Sequence, residues 1–210
     1  MVLGSGRGLR AVLTAGFAAW LIGVVVIAIL RVSGGGPSLA ALACTPDRLV
    51  DGHLLTLLSS ALPVGRLPFG EIAGLAVAAY AVWRLAGIAV VWLIGLAAHI
   101  GCTLVAYAAL GLLWLADRGL AGDAVRRSDY GISAIWLGLL GYLSAALWHS
   151  NHRLAVGIGA TSAVASLALA PVAGTMTTAE HLLALVIGWL LPMTLPALRP
   201  RAALRRSLSP

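Results

Sequence analysis

The sequence predicts an all-helical membrane protein that crosses the bilayer several times, and three observations predict it. Of the 210 residues, 60% are hydrophobic and 10% are charged, a mixture with too few charges to coat a soluble domain. The apolar residues fall in long runs separated by short Arg, Asp, Gly and Pro clusters, rather than around one soluble core. Inside a bilayer each backbone polar group must be satisfied within its own segment, so runs of this kind form helices packed as a bundle. Lysine is absent while Ala, Leu, Gly and Arg abound, the codon usage of a GC-rich bacterial genome.

The elements follow in order along a single transmembrane domain, residues 1–198. A first span occupies about 11–30 and is closed by Arg31 and the breaker SGGGPS. It is too long for a signal-peptide core and more spans follow it, so it is kept as a helix. The sequence LAALAC ending at Cys44 is a poor lipoprotein site, because Ala41 stands where leucine is preferred and the apolar run has already ended. A connection over 33–66 carries Asp47, Arg48, Asp51 and Arg66 around HLLTLLSSALP. That piece is too short to cross and is expected to lie at the interface. Spans two and three are expected at 67–83 and 87–116, the third longer than a bilayer requires and therefore tilted or projecting. The charged loop DRGLAGDAVRRSD precedes span four at 130–148, HSNHR leads into span five at 154–172, and span six covers 178–195. The tail 199–210 is basic, and no internal repeat or soluble domain is visible.

Charge tests this six-span order. With the amino terminus in the cytoplasm, the inner segments hold eight arginines and no acid, and the outer segments hold six arginines with all seven acids. The arginine excess sets orientation and acids contribute little, so the count favours both termini inside a bacterial cytoplasmic membrane. The four arginines of the tail act first as a topology anchor and second as a contact for anionic lipid. No nucleic-acid partner is implied.

Function is narrowed by elimination. Every acid maps to a loop or a helix end, which disfavours an ion-coupled transporter built on buried carboxylates. HExxH is absent, a serine/lysine dyad is impossible without lysine, and no two acids lie within spans as a paired-aspartate protease requires. His149 and His152 have ligand-like spacing but no third ligand nearby, so no metal site is assigned. Cys44 and Cys102 are expected as separate free thiols.

Serine with histidine remains. In such a pair the imidazole takes the hydroxyl proton as serine attacks a carbonyl, so both groups must reach one depth. Ser133 lies three residues into span four and His181 about three into span six, both descending from outside. At a rise of about 1.5 Å per residue the two fall within roughly one turn of the same boundary.

GISAIWLGLLG, with Gly131, Ser133, Ala134, Gly138 and Gly141, resembles the serine segment of rhomboid intramembrane serine proteases, roughly GxSGxxxGLLG. EHLLALVIG, with His181, Ala184 and Gly188, resembles their last catalytic helix. Together with serine on span four and histidine on span six, the resemblance covers about 47–195 and is to a divergent, actinobacterial-type member with a six-helix rhomboid-like bundle. It implies proteolysis of membrane-spanning protein substrates near the outer face by a Ser133/His181 dyad, without a cofactor. The small residues Gly138, Gly141, Ala184 and Gly188 have a physical reason as well, since they let two helices approach closely. Three features depart from the family pattern: Ala134 replaces glycine, Leu137 stands where an aromatic is usual with Trp136 one place earlier, and span two lacks the usual His and Asn that bind the oxyanion. Gly131 and His99 are the remaining oxyanion or site-packing candidates. The alternative reading is a rhomboid-fold pseudoprotease that binds transmembrane partners; a small transporter ranks third.

Overall fold

The computed structural model describes residues 5–34, 39–62, 68–116, 131–173, 175–195 and 198. The charged loop at 117–129, Arg66 and the basic tail fall outside the described residues. Helices form α1 (Ser5–Val32), α2 (Leu39–Leu42), α3 (Pro46–Val50), α4 (Thr56–Ser59), α5 (Pro68–Ala86), α6 (Ile88–Ala116), α7 (Ser133–Leu147), α8 (His152–Ala168), α9 (Ala170–Ala173) and α10 (Thr175–Thr194). Among the described residues there is no strand.

Among the described residues four helices are long and apolar enough to cross a membrane: Gly8–Val32, Phe69–Ala86, Ile88–Leu113 and Met176–Thr194. Their outward faces carry Val12, Ile22, Ile29, Val77, Leu104, Leu112 and Val186 in the open. Apolar exposure on that scale suits lipid rather than water as the solvent. Helix α7 has a different character. Its 15 residues span about 22 Å, short of a hydrocarbon core of about 30 Å. Eleven of those residues are buried, because α10, α6, α8 and α5 all pack on α7 and make it the centre of the bundle.

The peripheral helix α1 is held by aromatics. Trp92 of α6 meets Phe17 edge-on at 5.7 Å between centroids, and its indole donates to the Leu13 carbonyl at 3.0 Å. On the far side, the Ser144 hydroxyl of α7 donates to the Ala155 carbonyl of α8 at 2.8 Å, a polar tie between helices whose alternative is an unpaired group in lipid. Asn151 starts α8 by accepting from the Leu154 amide at 3.1 Å.

Two sequence expectations change here. The piece at 53–63 does more than lie at an interface: Leu54, Leu55 and Leu58 face outward, while Ser60 and Ala61 are buried in the bundle. The polar side turns inward because α6 offers hydrogen-bond partners and lipid offers none. Glu180, placed by the sequence at a helix end, lies in the second turn of α10, which begins at Thr175, and is 4% exposed. The apolar pattern dates the helix start from its hydrophobic stretch, whereas the polar TMTTAE turn is already helical.

Candidate functional site

The site is built on the α7–α10 contact, and that contact is made of missing side chains. A methyl on Gly188 of α10 would run into the Gly138 carbonyl of α7, and one on Gly141 would run into the Leu185 carbonyl of α10. On its other flank Gly138 faces Ala98 of α6, whose methyl leaves no space for a Cβ. Ala184 is fully buried in the same seam with Ala98, Cys102, Ala134 and Leu137. Backbones meet because no Cβ stands between them, the geometry that small residues permit in membrane helices. Gly138, Gly141, Ala184 and Gly188 thus bring α6, α7 and α10 together.

This approach carries the two polar residues at the helix ends into contact. The Ser133 Oγ lies 2.8 Å from the His181 Nε2. Both residues are partly accessible, whereas their neighbours Ala134, Ile135 and Ala184 are buried. On α7 the partly accessible residues of the first two turns are Ser133, Trp136 and Leu140. Their spacing of three and four places them on one face, so the helix opens to its surroundings along a single stripe headed by the serine. A serine donating to an unprotonated Nε2 is the ground-state arrangement of a hydroxyl nucleophile with its base.

His99 and Gly131, the oxyanion or packing candidates, both converge on Ser60. The His99 Nε2 lies 3.0 Å from the Ser60 Oγ and 3.1 Å from the Leu57 carbonyl oxygen. The Gly131 amide donates to the Ser60 carbonyl at 2.8 Å. These hydrogens are therefore engaged by the 57–60 segment. Ser60 itself is fully buried, and the sequence offered no signal for it beyond a serine pair closing a short apolar piece.

Helix α5 presents Gly74 to the indole of Trp136 at ordinary contact distance. The ring fills that face of the seam. Its Nε1 is buried with no hydrogen-bond partner among the described residues. The other candidates stand apart. His152 packs edge-on to Trp148 at 4.3 Å between centroids, and among the described residues no three His, Cys, Asp or Glu side chains gather as a metal site. Cys44 and Cys102 are both buried, and neither is in a disulfide. Compared with protein-family models, curated proteins and solved structures, the chain matches none.

Proposed function

We propose that the chain is a rhomboid-like intramembrane serine protease, a six-helix bundle of a bacterial cytoplasmic membrane with both termini inside. The observation that carries this reading is the 2.8 Å contact between the Ser133 Oγ and the His181 Nε2, at the end of a helix pair packed backbone to backbone. In the reaction Ser133 attacks a peptide carbonyl of a membrane-spanning substrate while its proton passes to the His181 Nε2. The tetrahedral intermediate then collapses, the C–N bond breaks, and the imidazolium returns the proton to the departing amine. Water, deprotonated by the same imidazole, releases the acyl group and restores the serine.

One observation favours a second reading, a pseudoprotease that binds transmembrane partners without cutting them. Helix α5 contains neither histidine nor asparagine, and loss of one oxyanion donor costs about 10²- to 10³-fold in rate. The deciding experiment treats the purified chain in bilayer discs with a fluorophosphonate probe. Labelling of wild type that disappears in both Ser133→Ala and His181→Ala supports the protease; a folded wild type that takes no label leaves the pseudoprotease.

A further inference from the structure

We infer that the buried Ser60–His99 pair is a positioning clamp for the nucleophile, linking α6 to Ser133 through the turn at Gly131. The inference rests on the protease reading above and deepens it. Its links are continuous. A carbonyl oxygen can only accept, so the His99 Nε2 facing the Leu57 oxygen at 3.1 Å carries the proton. The same N–H reaches the Ser60 Oγ at 3.0 Å, and the Ser60 hydroxyl donates back to the Leu57 carbonyl at 3.2 Å. His99 itself is seated in α6, its carbonyl accepting from the Thr103 hydroxyl at 2.9 Å, and both His99 and Thr103 are fully buried. The imidazole thereby fixes the last turn of the 57–60 segment against a rigid helix.

That segment in turn fixes the entry to α7. The Ser60 carbonyl takes the Gly131 amide at 2.8 Å, with Gly131 at φ +131°, a backbone conformation side-chain-bearing residues rarely adopt. The next residue, Ile132, occupies the N-cap position and provides no side-chain cap. A helix that starts without a cap has its first turn set by other ties, and the described tie here is the bond from Gly131 to Ser60. Ser133 is the first residue of that turn, two residues from the tie, and has to meet a histidine on a different helix at 2.8 Å. A second strap runs parallel, as the Tyr107 hydroxyl of α6 donates to the Cys44 carbonyl at 2.8 Å, holding the start of the same connection. His99 is therefore a positioning residue, acting on the nucleophile through Ser60 and Gly131.

Histidine ¹⁵N NMR of the full chain in bilayer discs tests the clamp without requiring turnover. Ser133→Ala removes the hydroxyl from the His181 Nε2 and moves its resonance to a reference position. In His99→Ala the His181 resonance is expected to shift toward that same position, while His99→Gln, which keeps a neutral N–H donor, retains the wild-type shift. Ser60→Ala, which keeps the Ser60 carbonyl, gives a smaller displacement and covers the case in which His99→Ala does not fold. The probe-labelling rate is expected to fall by about 10²-fold in His99→Ala with unchanged probe affinity, the cost of misplacing a reacting group by about 1 Å, and to recover in His99→Gln. If both His99→Ala and Ser60→Ala leave the His181 resonance where wild type has it, the clamp is overturned while the dyad stands. If Ser133→Ala itself fails to move that resonance, the dyad reading falls instead, and the clamp with it.

Discussion

Two serine–histidine pairs stand among the described residues at nearly equal separations, 2.8 Å for Ser133–His181 and 3.0 Å for Ser60–His99, and they stand in different surroundings. At His99 the nitrogen facing serine also faces a carbonyl oxygen, so it holds a proton and donates. Such an imidazole cannot take a proton from Ser60. At His181 the Nε2 lies 2.8 Å from the Ser133 Oγ across the α7–α10 seam. Access separates the pairs as well, for Ser60 and His99 are wholly buried whereas Ser133 and His181 are partly exposed. The pairs match in distance and differ in access and in what the imidazole meets.

The largest expected effect breaks the comparison at its root. Ser133→Ala and His181→Ala should each lower fluorophosphonate labelling by at least about 10³-fold, given how far a nucleophile and its base depend on one another, while Ser60→Ala remains labelled. Equal loss in all three, measured on folded protein, would erase the distinction between the pairs.

Next in size is the seam beneath the Ser133–His181 pair. Gly188→Ala places a methyl against the Gly138 carbonyl, and overpacking of this kind costs about 1–3 kcal/mol, with larger residues costing more. Unfolding in mixed micelles should show that loss together with weaker labelling. Gly157→Ala, at a position with open space around it, provides the control and should change neither.

A smaller effect is expected far from both pairs. Ser144→Ala removes the hydroxyl bond to Ala155 between α7 and α8, worth about 0.5–1.5 kcal/mol in unfolding free energy, and should leave the labelling rate unchanged. Smallest is the thiol response. Cys44 and Cys102 are both fully buried, so a water-soluble maleimide should react with them only on the timescale of unfolding, as mass spectrometry would read.

The helices were legible in the sequence because lipid imposes a simple rule. Apolar runs form helices, and the expected stretches at 87–116 and 178–195 correspond to α6 and α10 within a few residues. Glycine at 138, 141 and 188 announced close packing for the same reason, since few other roles favour so many missing side chains on neighbouring helices. Ser133 and His181 could be matched by depth alone. Ser60 could not, because nothing local distinguishes a serine that lies at an interface from one turned into the bundle. Glu180 was misplaced because the first turn of α10 is polar, and hydrophobicity marks the membrane rather than the helix.

By itself the sequence determined the solvent, the helical class and the two residues at matched depth, all consequences of composition and a fixed rise per residue. Only the tertiary structure decided what each histidine meets, a carbonyl from a segment some forty positions away for His99 and a hydroxyl across a glycine-lined seam for His181. Hydrogen-bond direction is set by partners brought together in space, and no spacing along the chain encodes it.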